Sequence, residues 1–87
     1  MLKPLILIVE DELLIAKEIS LILEGEGYDT HIGITTAKEA IETLSQKEYE
    51  LVLIDINLQN NSDGVELGHY LLNKDSIPYI YITSHSN

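Results

Sequence analysis

Eighty-seven residues are enough for one domain only, and a domain of this size buries roughly 60–65% of its unfolded surface, so its margin of stability is thin. An apolar fraction of 45% with 23% charged residues is that of a globular chain, and the lack of cysteine excludes disulfides and thiolate metal sites. Fifteen acids against five Lys plus Arg give a net charge of −10, which disfavours nucleic-acid backbones and anionic membrane surfaces as partners.

Met1 to Val9 superficially resembles a signal peptide, but the apolar run is short and meets Glu10-Asp11-Glu12 without a small-residue cleavage site. No stretch approaches the roughly 20 apolar residues that span a bilayer, so a soluble, cytoplasmic protein is expected. Leu5-Ile6-Leu7-Ile8-Val9 reads as a strand buried on both faces. From Leu13 to Glu24 the apolar residues take helical spacing, with Gly25 or Gly27 as the stop. Tyr28 to Ile34 is a second strand, polar enough at Asp29, Thr30 and His31 for a sheet edge. Thr36-Ala37-Lys38-Glu39 fits a capping box opening a helix that runs to about Ser45. Leu51 to Ile56 is a third strand. Asn60 to Gly64 reads as a polar loop, and Val65, Leu67, Leu71 and Leu72 place apolar groups on a third helix. Asn73 to Ser76 breaks that helix, and Ile77 to Ile82 makes a fourth strand with Pro78 near its start.

The order β-α-β-α-β-α-β implies a parallel sheet with right-handed crossovers and helices on both faces. In such sheets ligands bind beyond the carboxyl ends of the strands. Three polar groups fall at those ends: Glu10-Asp11-Glu12, Asp55, and Thr83-Ser84. Taken singly, the acidic run also suits a helix cap, and Thr83-Ser84 a turn. Asp55 is harder to explain that way. It interrupts LVLIDINL after four hydrophobes, where a carboxylate has poor strand propensity and a large desolvation cost unless a cation or donors meet it. Oxygen ligands suit Mg²⁺, so Asp11 and Asp55 are candidate ligands. Asp55 is then a nucleophile able to form an aspartyl phosphate, with Thr83 donating to the transferring group.

ILIVEDE, LVLIDINL, Asp63-Gly64 and PYIYITS together make the chain, from about Pro4 to Ser86, resemble the receiver domain of two-component response regulators. The resemblance implies an α/β flavodoxin/CheY-like doubly wound parallel sheet of strand order 2-1-3-4. It implies that Glu10, Asp11, Asp55 and the Asn57 carbonyl hold Mg²⁺. It makes Asp55 the acceptor of a phosphoryl group from a histidine kinase or phosphotransfer protein, served by Thr83 and Ser84. A phospho-accepting module rather than an enzyme is thus expected, limited to its own phosphorylation and dephosphorylation. The loop after Asp55 lacks the family's proline and is one residue longer before Asp63. The family continues with a helix, a strand bearing a lysine and an aromatic switch residue, and a last helix. None has a counterpart in residues 1–87, which are therefore expected to be an incomplete receiver domain, its N-terminal two-thirds or more. An exposed fourth strand would then invite a second copy by edge pairing or exchange. Two other readings stay open: a non-signalling dimerising remnant, and a phosphatase with an aspartyl-phosphate intermediate, related through Asp-Ile-Asn at 55–57. His31, His69 and His85 are too scattered for a metal site, and the five tyrosines read as packing residues.

Overall fold

The computed structural model describes residues 3–56, 61–73 and 77–82. Strands β1 (Leu5–Val9), β2 (Asp29–Ile34), β3 (Leu51–Asp55) and β4 (Tyr79–Ile82) alternate with helices α1 (Leu13–Gly25), α2 (Ala37–Gln46) and α3 (Asn61–Leu72). All strand pairs are parallel, and the sheet order is β2-β1-β3-β4. This is the expected doubly wound arrangement, strand order 2-1-3-4. The two central strands are the two continuous apolar runs, because a strand flanked on both sides and covered on both faces meets no water. Polar β2 takes one edge.

Strand alternation divides the apolar residues into two layers. Leu7, Val9, Val52 and Ile54 face α2 and α3, where they pack with Ala37, Ala40, Leu44, Leu67 and Leu71. Ile6, Ile8 and Leu53 face the other way, onto Ala16 of α1, with Ile19 and Leu23 beside them.

Two helix ends have a local cause. At the close of α1 the Tyr28 N–H donates to the Leu23 carbonyl and the Gly27 N–H to that of Glu24, both at 3.1 Å. This is a Schellman closure that needs left-handed backbone at its last position; Gly27, at φ 99°, supplies it, so Gly27 rather than Gly25 is the stop. At the start of α2 the Thr36 hydroxyl accepts from the Glu39 N–H at 3.1 Å. The returning carboxylate bond goes one residue further back than a standard capping box, to the Thr35 N–H at 3.0 Å. That bond holds the Glu39 carboxyl below its ordinary range.

Two expectations need correction. Helix α3 begins at Asn61, not after Gly64; Asn, Ser and Asp favour a helix's first turn as readily as a loop. Leu72 does not join the apolar face but is 69% exposed, since the stripe through Leu67 and Leu71 leaves the next residue turned about 100° away. Strand β4 starts at Tyr79, and the carbonyl of Pro78 accepts the Val52 N–H at 3.1 Å. Ile80 and Tyr81 are exposed. Among the described residues no helix is long and apolar enough to cross a membrane.

Candidate functional site

Register places the acids. Val9 pairs with Ile54, so Glu10, the residue just past the end of β1, comes level with Asp55 at the end of β3. Asp55 in turn pairs with Ile82 of β4, and the Ile56 N–H donates to the Ile82 carbonyl at 2.8 Å. Glu10, Asp11 and Asp55 each offer a carboxylate oxygen, all within 4.8 Å of one another. The three gather at the carboxyl ends of the two central strands, where the topology predicts a ligand site.

Their environments differ sharply. Glu10 and Asp55 are each 1% exposed, whereas Asp11 is half-buried and forms the solvent side of the cluster. The Glu10 backbone N–H donates to the Ile34 carbonyl at 3.1 Å, which ties the residue to β2. Its Oε2 accepts the Glu12 N–H at 3.0 Å, while its Oε1 is buried without a hydrogen-bond partner among the described residues. Burial pushes the Glu10 carboxyl up from 4.5 to about 7; the Glu12 N–H opposes that rise, and the nearby Asp55 charge adds to it.

A buried oxygen without a donor, beside two further carboxylates, is an arrangement that proteins avoid unless a cation completes it. The donor set is all oxygen and suits a hard divalent ion such as Mg²⁺. Of the other residues expected at the site, Asn57, Thr83 and Ser84 lie outside the described residues, although Ile82, immediately before Thr83, lies level with Asp55. Glu12, third in the acidic run, contributes its backbone N–H and leaves its side chain exposed.

Among the described residues, no histidine joins this cluster. The His31 Nδ1 lies 2.6 Å from the Tyr49 hydroxyl, and the two rings stack. His69 is exposed on α3, and His85 is outside the described residues. A hollow of about 500 Å³ lined by Lys3, Asp29, Lys47 and Glu48 opens at the amino ends of the strands, away from the carboxylates. Sequence reasoning passed over Gly33, whose only signal was a glycine inside a strand pattern.

The response regulator receiver domain family matches residues 6–87. The chain is similar to the phyllosphere-induced regulator PhyR of Methylorubrum extorquens, 39% identical over 82 residues, which cover 92% of this chain and 30% of that protein. It is similar to the anti-anti-sigma factor PhyR of Bartonella quintana, solved in complex with the anti-sigma factor NepR: TM-score 0.85 and 37% identity over 97% of this chain and 35% of that one. It is also similar to the MaeR response regulator solved bound to beryllium trifluoride: TM-score 0.80 and 30% identity over 97% of this chain and 70% of that one. The chain spans about a third of the length of the curated relatives it matches.

Proposed function

The chain belongs to the response regulator receiver domain family of two-component systems, and on that premise we propose that Asp55 accepts a phosphoryl group from a phosphohistidine of a histidine kinase or phosphotransfer protein, in a Mg²⁺-dependent reaction in the cytoplasm. The observation that carries this reading is the triad of carboxylates within 4.8 Å, one of which keeps a buried oxygen without a donor among the described residues.

Glu10, Asp11 and Asp55 would hold the metal, with the Asn57 carbonyl as a fourth protein ligand by family resemblance. A Mg²⁺ held there would offset the charge of the carboxylates and of the phosphoryl oxygens. An oxygen of Asp55 attacks phosphorus, the P–N bond to the imidazole breaks, and its electron pair returns to the ring nitrogen, which takes up a proton. The end of β3, locked between β1 and β4, holds the Asp55 backbone in place for that attack. Its 1% exposure keeps bulk water from the acyl phosphate once formed. Thr83 would donate its hydroxyl to an equatorial phosphoryl oxygen, beside the Ser84 backbone.

The chain is a signalling module that turns over no separate substrate. Protein partners on its output side are supported by the Bartonella neighbour's complex with an anti-sigma factor. The test is the intact mass of the chain after incubation with Mg²⁺ and acetyl phosphate. Gain of one phosphoryl group, absent in Asp55→Asn and in chelator, is expected. No gain in a folded chain, or steady release of phosphate over many turnovers, would overturn the reading.

A further inference from the structure

Strand β2 does not keep one register against β1. Asp29, Thr30 and His31 pair with Leu5, Ile6 and Leu7, but Val9 pairs with Ile34. Ile32 and Gly33 together therefore stand opposite Ile8, one residue against two. Gly33 has φ 94°, in the left-handed region, and nothing else in β2 departs from extended backbone in that way.

The slip changes which face the end of β2 presents. Ile32 packs with the layer on α1, whereas Ile34, two residues on, packs with the layer under α2. In an unbroken strand these two side chains would share a face. The slip also draws Ile34 back by one residue, about 3.3 Å, to lie level with Val9. There its carbonyl accepts the Glu10 N–H at 3.1 Å. Bulges beside functional sites commonly re-aim a side chain; here the residue anchored is the buried acid of the carboxylate triad.

We infer that Gly33 is a positioning residue for the acidic site. Its left-handed backbone makes the slip, and the slip fixes the Glu10 backbone, so that the Glu10 carboxyl is held between the Glu12 N–H and Asp55. The inference rests on the Mg²⁺ reading above and extends it to a residue that is not itself a ligand.

Gly27 provides a matched control. It too has positive φ, and neither glycine has any atom within 4 Å of an added Cβ, so alanine at either position perturbs through backbone strain alone. Gly27, however, sits at the opposite end of the sheet, before Asp29. The experiment compares Gly33→Ala, Gly33→Asn and Gly27→Ala by two readouts: Mg²⁺ affinity by calorimetry, and exchange of the Glu10 amide hydrogen without metal.

Both alanine variants should lower the unfolding midpoint. Only Gly33→Ala should weaken Mg²⁺ binding, by about tenfold, as loss of an outer support to a ligand does, and it should speed exchange at Glu10. Asn tolerates left-handed backbone better than Ala, so Gly33→Asn should weaken binding only about twofold to threefold, and it carries the test if Gly33→Ala does not fold. Affinities and Glu10 exchange in the Gly33 variants that match those of Gly27→Ala would overturn the inference. A wild-type chain that does not bind Mg²⁺ would instead refute the metal reading, and the Glu10 amide alone would then decide the role of Gly33.

Discussion

Replacing Glu10 by Gln should make the metal-free protein more stable at pH 8 while leaving it unchanged near pH 4. The Glu10 carboxyl titrates at about 7 in the folded chain, against 4.5 for an ordinary glutamate, because it is buried and faces Asp55. Below pH 4.5 the group is protonated in folded and unfolded chains alike, and its burial costs little. Between pH 4.5 and 7 the unfolded chain sheds this proton first, so stability falls as pH rises, and above 7 the loss levels off. A rise from 4.5 to about 7 corresponds to about 3 kcal/mol at 1.36 kcal/mol per pH unit. Solvent on the Asp11 side of the cluster reduces this to about 2 kcal/mol. The Gln amide keeps an acceptor for the Glu12 N–H and carries no charge. Urea unfolding of both chains at pH 4, 5, 6, 7 and 8 in chelator gives the difference directly, and the carboxylates remote from the cluster cancel between them. The difference should open between pH 5 and 7 in favour of Glu10→Gln. Adding Mg²⁺ at ten times its dissociation constant should then raise the wild type alone, by about 1.4 kcal/mol. Parallel pH curves, or a variant less stable at pH 8, would refute the account of a strained, buried carboxylate awaiting a cation.

Two further outcomes test the packing that presents the site. Leu67→Ala, at a position with no exposure under Leu7 and Ile54, should cost about 2–5 kcal/mol, a large share of the roughly 4–13 kcal/mol expected for a chain this long; Leu72→Ala, on the same helix but exposed, should stay within about 0.5 kcal/mol, and comparable losses in chemical denaturation would contradict the assigned face of α3. Thr36→Ala removes the acceptor of the Glu39 N–H and should cost about 1 kcal/mol; a thermal midpoint that does not move would mean that the Thr35–Glu39 contacts alone hold the start of α2.

Much of the architecture is legible in local sequence because local physics decides it. Leu5–Val9 and Leu51–Ile54 are apolar at every position, which only a strand covered on both faces requires, and they became the central pair of the sheet. Thr36 and Glu39 announced a helix start by chemistry confined to four residues. Asp55 stood out because a carboxylate at the end of an apolar strand is too costly to be idle. Where a segment suits two states equally, as Asn61 to Gly64 suits both a helix's first turn and a loop, the sequence alone chose wrongly.

What the tertiary structure decided is relative position. Composition and periodicity do not separate Glu10, Asp11 and Glu12, which only the family resemblance sorts; in the fold one is buried, one half-buried and one exposed, because strand alternation and the turn into α1 send their side chains in different directions. The level of Asp55 with Glu10 depends on the register of two strands more than forty residues apart, set by the packing of both layers. The one-residue slip at Gly33 depends on which face must receive Ile34. Composition and periodicity determine which segments form strands and helices, since those forces act within a few residues. The distances that make three carboxylates into a site come from pairing between distant strands, and only the folded sheet sets them.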